Sequence, residues 1–406
     1  MDSRRILFVD ADRETIQKIS KVILDATKDW ECEIVGSAAE GLDRLDSAHF
    51  DAVITEVVLP DLDGIEFLNR TKKRHPEVIR LILSEETNRN TVLRALEATH
   101  QYLLKPCIPM DLLSVLQHAF AIQHAVPNAR LQKLLGKLTR IPSMPACYQE
   151  LQAALSSGDA TFRDIGRIIS KDPGLTARIL KMVHSAYFGL PRGVVNIDQA
   201  AAFLGTDFIK SLVLTLELFT KYEQAGISRA FLDRLFEHSL LVAGLTRALA
   251  KEGGLSATER EMAFTAGLLH DVGKLILAEN QAEEYQSVME LQVTYNINIW
   301  QAEWRVFGVT HAEVGAYLLS LWGFPDEQCN AVRFHHQPHL SKDNRFTILT
   351  AVHLANAFGS IPREDLYHTR RRIHIPYIEQ IGGFDDLPAW EQACLNLIAV
   401  AEEEVI

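Results

Sequence analysis

The chain has 406 residues, enough for two or three domains that each bury a core of their own. Its 47% hydrophobic and 23% charged content is that of an ordinary globular protein. A net charge of −12 argues against an electrostatically driven DNA interface, and the sequence lacks the run of roughly 18 apolar residues that a membrane span needs. The partners expected are neither DNA nor membrane. Three adjacent arginines, Arg370-Arg371-Arg372, are weighed as a solvated turn or helix end against a basic patch. Five scattered cysteines without a C-x-x-C spacing, and an N-terminus without a signal-peptide pattern, predict a reducing, cytoplasmic location.

Short β-rich runs at 5–9, 32–36, 52–55, 79–83 and 101–104 alternate with amphipathic stretches such as 13–26 and 64–73. That alternation predicts βαβ units, giving a doubly wound α/β module with a five-stranded parallel sheet over 1–124. Functional groups of such sheets gather beyond the carboxyl ends of the strands. Those ends carry Asp10, Glu56, Ser84 and Lys105. The β signal then disappears. Residues 125–140 hold Arg130, Lys133, Lys137 and Arg140 with no acid, and predict a linker helix. From 141 the pattern is helical, broken by turn signals such as Asp172-Pro173-Gly174 and Gly323-Phe324-Pro325. A large all-α domain is expected over 141–340, completed by a helical extension over 341–406.

Within that helical part, Gly267-Leu268-Leu269-His270-Asp271-Val272-Gly273-Lys274-Leu275 sets a His–Asp doublet in an apolar, helix-like run. Burying an imidazole and a carboxylate costs roughly 2–7 kcal/mol per unsatisfied group, so a metal or hydrogen bonds must compensate. Both side chains are ligands for Zn, Fe and Mn. His238, His311, His335, His336 and Asn356 are further candidate ligands. Two readings stay open for His270-Asp271, a metal site and a hydrogen-bonded structural remnant. For His311 a satisfied core histidine is the alternative. His339 and His353 are read as surface or packing residues, and Trp300, Trp304, Trp322 and Phe307 as core.

The first module, with Phe8-Val9-Asp10, the run Ile54-Thr55-Glu56 to Asp63-Gly64, Ser84 and Leu104-Lys105-Pro106, resembles the receiver domain of two-component response regulators. The resemblance implies a phosphoacceptor position at Glu56, a metal-binding pair at Asp10 and Ala11, partners at Ser84 and Lys105, and a switch aromatic at Tyr102. Glu56 stands where the family has aspartate. One added methylene moves the carboxylate by about 1.5 Å, and a 1 Å misplacement alone can cost about a hundredfold in rate. Ala11 removes a Mg²⁺ ligand, so Mg²⁺ should bind weakly or not at all. The expectation is a degenerate receiver that takes no phosphate. Glu56 then either mimics the phosphorylated charge or belongs to a residual ion cluster with Asp10 and Lys105.

The second module carries Ile141-Pro142-Ser143-Met144-Pro145, Asp172-Pro173-Gly174-Leu175, the His184 to Gly189 segment, Ile197-Asp198-Gln199-Ala200-Ala201, His238 and His270-Asp271. It resembles the HD-related output domain (HDOD), distantly related to HD-GYP phosphodiesterases; His184 departs from the usual asparagine. The resemblance implies metal ligands in the order His238, His270, Asp271 and Asn356, with His311, His335 and His336 as additional ligands and Lys274 near a substrate phosphate. Asn356 supplies no charge, and no Gly-Tyr-Pro motif follows His336. Two functions remain. One is a signalling adaptor acting through protein contacts with a sensor kinase, a phosphodiesterase or another regulator, with a homodimer among the forms it could take. The other is a metal-dependent phosphohydrolase with a nucleotide or cyclic dinucleotide as ligand.

Overall fold

The computed structural model describes residues 4–27, 29–75, 78–86, 91, 95, 98–99, 101–125, 142, 144–156, 160–183, 194–224, 227–359 and 372–403. The linker expected at 125–140 (apart from its first residue), the His184 to Gly189 segment and Arg370-Arg371 lie outside the described residues. The chain divides into two units, the first of Met1–Met144, Arg305–Val309 and Tyr317–Phe324 and the second of Pro145–Trp304, Thr310–Ala316 and Pro325–Ile406, so that the helices over Ile299–Phe307 and His311–Leu321 begin in the second and end in the first.

In the first unit, strands β1 (Arg4–Val9), β2 (Trp30–Val35), β3 (Ala52–Thr55), β4 (Ile79–Ser84) and β5 (Gln101–Leu104) form a parallel sheet in the order β2-β1-β3-β4-β5. Apolar runs on both faces of the central strands make this a sheet covered on each side. Leu7, Val9, Val53 and Ile82 pack with Phe67 and Leu68 of the helix after β3 in its core. Helices α1 (Arg13–Ala26), α2 (Ala38–Ser47), α3 (Gly64–Arg74) and α4 (Pro109–Ala125) surround it. Their starts are set by side chains: Asp12 accepts from Thr15 N, Ser37 from Glu40 N and Asp63 from Ile65 N. Asp61 adds a second anchor, accepting from the amides of Ala38 and Ala39 at 2.9 and 2.8 Å. Register matters most for function. Val9 lies opposite Thr55, so Asp10 and Glu56 leave adjacent strands side by side.

The second unit is helical among its described residues. Helices α5 (Ala146–Ser156), α6 (Phe162–Ile169), α7 (Pro173–Val183), α8 (Ile197–Leu204) and α9 (Thr206–Gln224) pack together. They are followed by α10 (Arg229–Glu252), α11 (Ala257–Leu269), α12 (Val272–Asn280), α13 (Ala282–Tyr295), α14 (Ile299–Phe307), α15 (His311–Leu321), α16 (Asp326–Phe334), α17 (Ile348–Phe358), α18 (Ile375–Gln380) and α19 (Leu387–Glu403). Helices α10, α11, α16 and α17 form the central bundle. A Ser256–Glu259 capping box starts α11. Its packing on α10 is close at Gly267, where a Cβ would lie 2.6 Å from Thr246 Oγ1.

The apolar run 267–275 is not one helix. It breaks at the doublet, with His270 closing α11 and Asp271 opening α12. Two tryptophans also differ from expectation. Trp304 is 54% exposed rather than core, and Trp300 is half-buried against the ring of His336, 6.1 Å between centroids. Trp322 is buried.

Candidate functional site

In the sheet unit, the loops after β1, β3 and β5 bring three charged side chains together. Lys105 Nζ donates to Asp10 Oδ2 at 2.7 Å and to Glu56 Oε2 at 2.8 Å. The remaining oxygens are also used: Asp10 Oδ1 accepts from Asp12 N at 2.8 Å, and Glu56 Oε1 from Val57 N at 2.7 Å. Burial works against charge on Lys105, but its bonds to Asp10 and Glu56 prevail and raise its pKa. Asp12, the acid next to Ala11 in sequence, is exposed and spent on capping α1. Ser84 is buried at the end of β4 and accepts from Glu86 N, while the Tyr102 hydroxyl donates to Glu86 O at 2.7 Å.

In the helical unit, four helix ends converge on Asp271. His270 and His335 sit at the C-caps of α11 and α16, and each donates Nδ1–H to the carbonyl three residues back, Gly267 O and Val332 O, both at 2.7 Å. A carbonyl offers only lone pairs, so the proton is on Nδ1 and each Nε2 is left bare. The same logic fixes His311 at the start of α15, whose Nδ1 donates to Glu303 Oε2 at 2.6 Å. Its Nε2 then faces Asp271 Oδ1 at 3.1 Å and His336 Nε2 at 3.1 Å. On the other side of the carboxylate, Asp271 Oδ2 receives Lys274 Nζ at 2.5 Å, with His270 Nε2 at 3.3 Å and His238 Nε2 at 3.7 Å. His238 Nε2 is hydrogen-bonded to Asn356 Oδ1 at 3.1 Å.

The charges follow from this enclosure. Burial opposes ionisation of Asp271, but the His270 ring and the Lys274 ammonium hold its carboxyl well below the usual range. Burial and neighbouring rings push His335 and His336 well down, and burial with His270 takes His238 down to about 4. For His311 burial is outweighed by the Glu303 carboxylate, which raises its pKa. The donor set suits a cation. Among the described residues, His270 Nε2, His335 Nε2 and Asp271 Oδ1 are buried without an aligned hydrogen-bond partner. Two groups, Asp271-His311-His335-His336 and His238-His270-Asp271, each bring their ligand atoms within 4.8 Å of one another. Orphaned acceptors facing each other are costly unless a positive charge lies between them.

Residues 6–117 match the response regulator receiver domain and residues 141–338 match the HDOD domain. The chain is a receiver–HDOD protein. A protein of Treponema pallidum, described as uncharacterized, is 26% identical over 225 residues, 55% of this chain and 43% of its own. The DNA-binding transcriptional regulator NtrC of Azospirillum brasilense is 28% identical over 169 residues, 40% of this chain and 34% of that one. These matches span less than half the length of those relatives. The crystal structure of an HDOD domain protein from Geobacter sulfurreducens superposes with a TM-score of 0.54 at 21% identity, covering 68% of this chain and 96% of that one. At that identity the likeness is one of fold. The protein is thus response-regulator-like, with an HD-type output domain.

All six histidine and aspartate candidates of the HDOD domain come together, and Asn356 reaches the group through His238. Lys274, expected near a substrate phosphate, is bonded to Asp271 Oδ2 at 2.5 Å. His353 is a buried packing residue whose Nδ1 donates to His335 O at 2.7 Å, and exposed His339 stacks on His374. Sequence reasoning missed Glu303, which is fully buried and accepts from both His311 N and Nδ1. Its only signal was a carboxylate between Ala302 and Trp304 in a largely apolar stretch. No helix among the described residues is long and apolar enough to cross a membrane.

Proposed function

We propose that this protein relays a signal through protein contacts, from a receiver that takes no phosphoryl group to an HDOD domain organised around a bound metal. The observation that carries the reading is the Lys105 bridge between Asp10 and Glu56, 2.7 and 2.8 Å long. Every oxygen of both carboxylates has a partner, the acceptor position holds glutamate, and Ala11 gives Mg²⁺ no second acid. Partners of the matching chemistry are a sensor kinase, a phosphodiesterase or another signalling protein. Five free cysteines suit a cytoplasmic setting. The test is incubation with a small phosphodonor and Mg²⁺ followed by intact-mass measurement. No added phosphoryl mass is expected in wild type or in Glu56→Asp, whereas stoichiometric uptake by wild type would overturn the reading.

The converging histidines favour a second reading, a metal-dependent phosphohydrolase. His238, His270, Asp271, His311, His335 and His336 would hold a divalent metal (Zn, Fe or Mn). Such a metal, when bound, supplies an activated water and charge for a phosphate ester. The chain's own Lys274 would have to leave Asp271 to meet that phosphate. A screen of nucleotides and cyclic dinucleotides decides it, since turnover lost in Asp271→Ala would replace the adaptor reading.

A further inference from the structure

The two halves of the HDOD site are not equivalent, and Asp271 divides them. On its Oδ2 side the ligand atoms are already committed. Lys274 Nζ sits 2.5 Å from Oδ2, and His238 Nε2 is hydrogen-bonded to the Asn356 amide at 3.1 Å. The amide oxygen only accepts, so His238 Nε2 carries the proton of this bond, and it is the ring nitrogen that would otherwise face a metal. Only His270 Nε2 is left open there. On the Oδ1 side the reverse holds. Oδ1 has no aligned hydrogen-bond donor although the bare His311 Nε2 lies 3.1 Å away, and His335 Nε2 is orphaned 4.0 Å away. The single proton between His336 Nε2 and His311 Nε2, 3.1 Å apart, sits on His336 and is released when a metal binds. Carbonyl and carboxylate partners on Nδ1 fix the His335 and His311 rings in the ligating tautomer.

We infer that the protein holds one metal ion, on the Oδ1 side of Asp271, through His311, His335, His336 and Asp271, and that the side carrying His238, His270 and Asn356 stays closed. Three imidazoles and one carboxylate make a four-ligand protein set, which fills a tetrahedral zinc site by number and keeps no position for water, whereas catalytic sites use three protein ligands. Charge agrees with this assignment. Asp271 and the buried Glu303 bring two negative charges, against one positive charge on Lys274 and two on a divalent ion, so the site accommodates one ion and a second would stand far out of balance. Lys274 and the His238–Asn356 bond thus act as built-in replacements for a second metal. The inference rests on the proposal that the site binds metal at all.

The test uses the full chain loaded with Zn²⁺ or Co²⁺, with elemental analysis for stoichiometry and the Co²⁺ visible spectrum for geometry. Wild type should carry one ion per chain with an intense tetrahedral Co²⁺ band. His238→Ala should keep both ion and band. His311→Ala should lose them, and His336→Gln, at a half-buried position, provides the same readout should the first variant fail to fold by circular dichroism. Lys274→Met combined with Asn356→Asp should raise the content toward two. Two ions in wild type, or loss of the ion in His238→Ala, would overturn this assignment while leaving metal binding intact. No ion in wild type with either metal would overturn the metal reading itself.

Discussion

Glu303 and His311 are joined twice: one carboxylate oxygen, Oε2, accepts from the His311 backbone N at 2.8 Å and from its Nδ1 at 2.6 Å. The bond to N caps the start of α15, and the bond to Nδ1 aims Nε2 at Asp271. One residue therefore sets both where the helix begins and which nitrogen can bind metal. Glu303→Gln keeps an acceptor for the cap but removes the negative charge and lets the ring turn to another tautomer. Loss of such a supporting partner typically lowers metal affinity by about 10–100-fold. Zinc titration against a chromophoric chelator should show that drop with an unchanged circular dichroism spectrum. Equal affinities would mean that His311 is not a ligand.

Much of this was legible in the sequence, for identifiable reasons. The strand runs at 52–55 and 101–104 coincide with β3 and β5 because short β-branched and aromatic runs between polar turns have few alternatives. The ligand candidates could be read because imidazoles in apolar helices are conspicuous. The break at His270-Asp271 could not, since it depends on His270 bonding Gly267 O, a local choice that competes with a continuous helix. Glu303 and the pairing of Lys274 with Asp271 were hidden too. Both depend on which helix ends meet, and a glutamate or lysine on a helix is ordinarily solvated.

Lys274 offsets the charge of a carboxylate that is only 1% exposed. Lys274→Met should therefore destabilise the metal-free protein by about 3–5 kcal/mol, the usual cost of breaking a buried pair from one side. Added Zn²⁺ should recover much of that loss, because an ion at Asp271 replaces the missing cation. Thermal melts with chelator and with Zn²⁺ measure both. A variant equally stable in each condition would show that the ammonium does not support Asp271.

Glu217, on α9, offers a pH test away from the metal. Burial pushes its carboxyl up to about 7, against hydrogen bonds from the amides of Tyr148 and Cys147 at the start of α5. A carboxyl raised in the folded state binds protons on folding. Its stabilising contribution is complete below the ordinary glutamate range and is lost as pH rises toward about 7. Glu217→Gln retains an acceptor for α5 and removes that penalty. It should stabilise the protein by about 3 kcal/mol above neutrality, with the gain vanishing near pH 4. Paired melts of both proteins across this range check the sign. A gain that persists at low pH would assign the effect to something other than ionisation.

Gly273 lies in the first turn of α12, where that helix crosses the start of α15. A Cβ added there would stand 2.0 Å from the His311 carbonyl oxygen and 2.8 Å from Gly315 N, both backbone atoms that no rotamer change can move. At Gly315, across the same contact, an added Cβ would meet its nearest atoms at 3.2 Å, a displacement of a few tenths of an ångström. Overpacking of this kind costs about 1–3 kcal/mol, and at Gly273 the strain falls on the peptide that carries His311. Gly273→Ala should therefore lower both melting temperature and zinc affinity, while Gly315→Ala does so to a smaller extent. The ordering is what discriminates. If the close approach of α12 to α15 holds Asp271 and His311 within 3.1 Å, metal affinity must fall further in the first variant than in the second, and chelator-treated samples must show the same order in stability. A Gly273→Ala protein that binds zinc like wild type would mean that the two ligands are positioned by their side-chain partners alone, with Glu303 rather than the helix crossing as the controlling contact.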